Sequence, residues 1–177
     1  MCMENSYALI TGASSGIGLE ISNLLAEKGF NLVLTARREE KLREQAQKIS
    51  DKYKVNVDFI SSDLSDERAP KDIYDFCEQK NYEVDILVNN AGYGIKTPFH
   101  GTSMEDEEKF IRVLGTSVIA LSKIFIPKML DRGNGKIMIV TSVAAFAPPS
   151  AIQALYGPIK TFMNRFSESL NINYNAK

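Results

Sequence analysis

The chain has no tryptophan, one histidine and two cysteines among 177 residues. Cys2 and Cys77 form neither a disulfide framework nor a metal-ligand spacing, so a disulfide-stapled secreted scaffold is excluded and no metal is expected. His100, the single histidine, falls in a loop and reads as surface, which leaves little room for a mechanism built on a histidine base. Net charge is only −1 and no long basic stretch occurs, so neither nucleic acid nor an anionic membrane is an expected partner. The opening residues Met1-Cys2-Met3-Glu4-Asn5-Ser6 lack both a basic and a long apolar region; no signal peptide or membrane-spanning segment is readable. With reduced thiols as the default, a cytoplasmic protein is the expectation. Repeats and low-complexity tracts are absent.

What is present is a strict alternation of strands and helices. A hydrophobic content of 44% over this length fits one domain, residues 1–177, with a real core. Apolar runs place strands near 7–11, 31–36, 55–62, 84–90 and 136–142. Helical periodicity falls near 16–29, 39–53, 66–80, 104–131 and 154–173. Near-continuous runs such as Asp85-Ile86-Leu87-Val88 indicate strands covered on both faces. The expected fold is α/β, a doubly wound parallel sheet in the order 3-2-1-4-5.

The first strand runs straight into Thr11-Gly12-Ala13-Ser14-Ser15-Gly16-Ile17-Gly18 and then a helix with Ile17, Ile21, Leu24 and Leu25 at helical spacing, expected to face the sheet. A glycine-rich turn at a helix N-terminus offers backbone N–H groups and a partial positive charge to a pyrophosphate. Gly12 suits the tight turn, Gly16 the approach of a phosphate, and Gly18 close helix–strand packing. The spacing departs from the common G-x-G-x-x-G, and a strand-to-helix turn without a ligand is the alternative at this point. The second strand, Asn31 to Ala36, ends at Arg37-Arg38 with no carboxylate at Thr35 or Ala36. An acidic residue there binds the ribose of NAD, whereas an arginine accommodates a 2′-phosphate. Arg37 therefore favours NADP(H) over NAD(H), unless both arginines merely open a solvated helix.

Three further motifs follow: Asp63-Leu64, Asn89-Asn90-Ala91-Gly92, and Ser142 with Tyr156-Gly157-Pro158-Ile159-Lys160. In this order they make the chain resemble the short-chain dehydrogenase/reductase family over essentially its whole length. The resemblance implies a Rossmann fold, with Asp63 on the adenine amino group and Leu64 against the base. It also implies that Asn90, Ala91 and Gly92 line the cofactor ribose and phosphates. Cofactor contacts are thus expected at Gly12, Ser14, Ser15, Gly16, Ile17, Gly18, Arg37, Asp63, Leu64, Asn90, Ala91, Gly92, Tyr156 and Lys160.

Residue chemistry supports the catalytic part. Tyr156 and Lys160 share a helix face at a spacing of four, and Pro158 is harmless in a first turn. A free phenol ionises near pH ~10, and a nearby ammonium favours its ionised form. Ser142, at the carboxyl end of a strand, sits where such sheets hold ligands. Ser142 would orient a carbonyl, Tyr156 donate the proton, and Lys160 tune Tyr156 and hold the nicotinamide ribose. The expected reaction interconverts a small-molecule carbonyl and an alcohol. A dinucleotide-binding protein without turnover, acting as a sensor or partner module, is the alternative.

Three departures from the family pattern stand out. Leu114 occupies the place of an asparagine that helps hold a proton-relay water. The stretch from Ser142 to Tyr156 is one residue longer than usual, with Pro148-Pro149 the place of the extra residue. The family's C-terminal strands and substrate-covering loop are lacking, so the chain reads as part of a longer protein or as a degraded, inactive member. Apolar residues of the fourth helix (Val118, Ile119, Leu121, Ile124, Phe125, Ile126, Met129, Leu130) cover more than one face. A homodimer or homotetramer through the last two helices is expected, the last one turning Ile159, Phe162, Met163, Phe166 and Leu170 to the sheet.

Overall fold

A computed structural model describes residues 6–148 and 154–174. Five strands, β1 (Ser6–Thr11), β2 (Asn31–Ala36), β3 (Val57–Ser61), β4 (Glu83–Asn89) and β5 (Lys136–Ile139), form one parallel sheet in the order β3-β2-β1-β4-β5. Because side chains alternate along a strand, the sheet carries two cores. Ala8, Ile10, Leu32, Leu34 and Val88 pack under α1 (Gly16–Glu27) and α2 (Glu39–Tyr53), with Leu42, Ala46 and Ile49. Leu9, Val33 and Leu87 pack on the other face under α3 (Ala69–Gln79), α4 (Met104–Ile111), α5 (Ser117–Arg132) and α6 (Tyr156–Tyr174). This is the doubly wound order read from the sequence. It brings the C-terminal ends of β1 and β4 side by side, opening the crevice where such sheets bind ligands.

Several local expectations are revised. In α1 the buried residues are Gly18, Ser22 and Ala26, whereas Ile17 and Leu24 are exposed. The reason is contact at the turn: a Cβ on Gly18 would lie 2.5 Å from both the Gly12 carbonyl oxygen and Asn90 Nδ2, so the glycine face is the one that meets the sheet. The fourth helix is not continuous α-helix. A π-helical turn at Arg112–Thr116 separates α4 from α5 and buries Val113, Leu114 and Gly115 in succession, which a regular helix would not do. Strand β5 stops at Ile139 because β4, its ladder partner, ends opposite it at Asn89. On α6, Met163 is buried but Phe162 is exposed, contrary to the single apolar stripe expected there.

Met104–Arg132 is long and apolar enough, by length and composition, to cross a membrane, a property the sequence reading did not register. Half of its most apolar stretch is buried, and Phe110, Leu114, Leu121 and Phe125 of this segment lie in the core shared with β1 and β4. Along the free edge of β5 an open groove of about 770 Å³ lies between Ile21 and Leu25 of α1, Met138, and Ser167 and Leu170 of α6. It is remote from the crevice at the strand ends.

Candidate cofactor site and catalytic cluster

The glycine-rich turn is held from below by β4. Thr11 Oγ1 accepts from the backbone N–H groups of Asn90 (2.9 Å) and Ala91 (3.0 Å), and Asn90 Nδ2 donates to the Thr11 carbonyl at 2.9 Å. Asn90 is thereby a strut of the turn, its amide donor spent on the loop. Gly12 has φ +68°, and a Cβ there would come within 2.9 Å of the Ala91 Cα. At Gly16 (φ +60°) the space a Cβ would enter is open. Ser15 caps α1 without a side-chain hydrogen bond. Among the described residues no side-chain cap meets the first-turn N–H groups, the arrangement of a candidate anion cradle.

Beside the cradle lies a cavity of about 180 Å³. Of the expected cofactor residues, Gly12, Ser14, Ser15, Arg37, Asp63, Leu64, Ala91 and Gly92 border it; Gly16, Ile17, Gly18, Asn90, Tyr156 and Lys160 do not. Thr35 Oγ1, also on this wall, is buried and has no hydrogen-bond partner among the described residues. Arg38 is the main surprise. Exposed at the cap of α2, it nevertheless reaches back: its Nη2 donates to Ser14 Oγ and Ser15 Oγ, both at 3.0 Å, so a second arginine joins Arg37 on this cavity. Paired serines in the turn and paired arginines after β2 were the available signal. Tyr93 and Val113, also on the wall, carried none.

Tyr156 and Lys160 share the start of α6, and Ser142 precedes a short turn that packs on that helix. Lys160 is buried, and its Nζ donates to the Val140 carbonyl at 2.8 Å while lying 5.8 Å from the centre of the Tyr156 ring. Burial pulls its pKa below that of an ordinary lysine. Ser142 lies beyond the end of β5, not in it, as the extended cap of a 3₁₀ turn over Val143–Ala145. Its Oγ accepts from the Ala144 N–H at 3.2 Å, which leaves the hydroxyl proton free to donate elsewhere. That turn packs on the N-terminal part of α6, since Thr161 Oγ1 donates to the Ala145 carbonyl at 3.0 Å. Tyr156 starts α6, as expected, and its ring stands 6.4 Å from Phe110, which in turn meets Tyr93 edge-on at 5.2 Å. Leu114 packs as a core residue within the π-turn and offers no polar side chain. Pro149, at the site of the extra residue, lies outside the described residues.

A parallel sheet with a glycine-rich turn at its switch point and a buried lysine beside a tyrosine defines a dinucleotide-binding α/β protein. The family model described as "short chain dehydrogenase" matches residues 6–177, and the chain belongs to that family. It is 34% identical over 97% of its length to "Very-long-chain 3-oxoacyl-CoA reductase-B" of Danio rerio, covering 55% of that protein. It is 32% identical over 97% of its length to "Inactive hydroxysteroid dehydrogenase-like protein 1" of Homo sapiens, covering 52%. The chain thus spans about half the length of the curated relatives it matches. A short-chain dehydrogenase from Sphingobium yanoikuyae in complex with NADPH superposes with a TM-score of 0.90 at 30% identity, over 97% of this chain and 66% of that one. A metagenomic short-chain oxidoreductase in complex with NADP gives a TM-score of 0.90 at 30% identity, over 98% and 78% respectively.

Proposed function

We propose that the protein is an NADP(H)-dependent oxidoreductase that interconverts a carbonyl and an alcohol. The observation that carries this reading is the buried Lys160 held on Val140 beside Tyr156, with the Ser142 turn packed on the same helix start. A lysine ammonium is costly to bury and is kept where its charge is used. NADP(H), when bound, supplies the hydride. Gly12, Ser14, Ser15 and the open face at Gly16 would hold the pyrophosphate, Arg37 and Arg38 the 2′-phosphate, and Asp63 and Leu64 the adenine. Ser142 donates its free proton to the substrate oxygen and fixes its position. Tyr156 passes its phenolic proton to that oxygen, and the Lys160 ammonium stabilises the phenolate left behind. The substrate is a small molecule; the relative in Danio rerio is named for a 3-oxoacyl-CoA substrate, which makes acyl thioesters the first to screen.

Tyr156→Phe is expected to abolish nearly all carbonyl reduction, followed as NADPH oxidation by absorbance, while NADPH affinity changes little. Retention of more than a modest fraction of turnover would place the proton donor elsewhere. The non-catalytic reading is favoured by Leu114 and by the relative named inactive. It predicts NADPH binding with no turnover on any carbonyl offered. The same proposal carries a paired assembly through α5 and α6, on which Leu130 and Phe162 stay exposed.

A further inference from the structure

Among the described residues the buried side chains include two that are charged: Lys160, whose Nζ lies 5.8 Å from the centre of the Tyr156 ring, and Glu107, which lines a cavity together with Tyr156. Lys160 belongs to the catalytic cluster. Glu107 has no cation partner among the described residues; its side-chain contact is with the Thr102 hydroxyl, whose single proton is shared between this carboxylate and the Phe99 carbonyl 2.8 Å away. Glu107 is one of the residues lining a small cavity of about 10 Å³, with Ile95, Phe99, Phe110, Leu155 and Tyr156 among the others. A carboxylate accepts at several lone-pair positions, and one hydroxyl does not use them up. Burying such a group without a cation is costly, so it is informative where it occurs. A cavity of this size takes one water-sized group.

We propose that this cavity is a one-atom subsite of the substrate cleft, in which Glu107 accepts a hydrogen bond from a hydroxyl or N–H carried by the carbonyl substrate. An apolar wall with one placed acceptor is how a pocket fixes the orientation of a ligand that is otherwise hydrocarbon. Glu107 thus selects among carbonyl compounds, while Ser142 and Tyr156 act on the carbonyl itself. The inference rests on the oxidoreductase reading given above, and the two fail in different ways.

The test uses an unbranched ten-carbon methyl ketone and its analogues carrying one hydroxyl at successive carbons. One hydroxyl position is expected to raise kcat/KM about tenfold or more over the parent ketone, the size of a hydrogen bond to a charged acceptor. That ratio is expected to collapse toward one in Glu107→Leu and to survive in part in Glu107→Gln, which keeps an acceptor oxygen. A second arm reads binding without turnover: in Tyr156→Phe loaded with NADP⁺, calorimetry compares the matching diol with the mono-alcohol. The diol is expected to bind at least fivefold tighter, and the Glu107→Leu change on that background to erase the difference. Equal kcat/KM across the series, or an advantage that persists in Glu107→Leu, overturns the subsite and marks the cavity as a water site. No reduction of any ketone while the diol still binds tighter overturns the oxidoreductase reading alone.

Discussion

Arg38 spans from the cap of α2 to the two serines of the glycine-rich turn, with Nη2 at 3.0 Å from each hydroxyl oxygen. A 2′-phosphate entering the adjoining cavity meets this guanidinium and that of Arg37 together. Charge-assisted hydrogen bonds contribute about 1.5–3 kcal/mol each, and because both arginines are exposed the lower figure applies. Arg38→Ala is therefore expected to weaken NADPH binding by about 1.5 kcal/mol, roughly tenfold, and to leave NADH nearly unchanged. Arg37→Ala is expected to act similarly. The double variant falls short of the sum, because both side chains address one phosphate. Titration of cofactor fluorescence against each variant measures this directly, and raising the salt concentration is expected to narrow the NADPH–NADH gap in the unmutated protein. Two results refute the reasoning. One is equal affinity of the unmutated protein for the two cofactors. The other is a loss of both affinities alike in Arg38→Ala, which would make Arg38 a brace of the Ser14–Ser15 turn and not a phosphate ligand.

The sheet order and the geometry of the glycine-rich turn were legible because each rests on a local rule. Continuous apolar runs report strands buried on both faces, and a glycine turn between strand and helix reports its own geometry. Gly12 and Gly18 stand where a Cβ would collide with Ala91, Asn90 or Gly12, as their expected roles require. What was misread depends on partners distant in sequence. Ile17 and Leu24 fit a sheet-facing stripe on a helical wheel, but the contact with Gly12 and Asn90 rotates α1 onto its glycine and serine face. The π-turn at Arg112–Thr116 has no period of its own to detect. Arg38 is exposed, as the solvated-helix alternative had it, but its bonds were not legible because Ser14 and Ser15 lie more than twenty residues earlier and meet it only once β1 and β2 pair. Glu107 sits among charged neighbours on α4, and only tertiary packing singles it out as the buried one.

Burial, with the nearby charges of Glu78 and Asp58, pushes the Cys77 thiol up to about 12, so its reactive thiolate is scarce at neutral pH. Cys77 is expected to resist a disulfide-exchange reagent until the protein unfolds; rapid labelling of Cys77 in the native protein would contradict that burial. The paired assembly proposed for α5 and α6 predicts a dimer or larger at micromolar concentration by light scattering, weakened by Phe162→Lys; a clean monomer refutes it. Lys160 gives a prediction in the pH dependence of stability. Its pKa in the folded protein is lowered by burial, so between that value and the ordinary lysine value of 10.5 the unfolded chain binds more protons at this site. Stability contributed by this position therefore rises with pH across that window. Below the window the folded protein bears the full cost of a buried ammonium, and above it none. Lys160→Met has no proton to lose. It also loses the bond to the Val140 carbonyl, a penalty expected to vary little with pH. Measured by urea unfolding from neutral pH upward, the stability of Lys160→Met relative to the unmutated protein is expected to fall steadily as pH approaches 10.5. A difference that stays flat, or grows with pH, shows that the Lys160 ammonium is not destabilised by its site. The assignment of its charge to the chemistry at Tyr156 would then lose its physical basis.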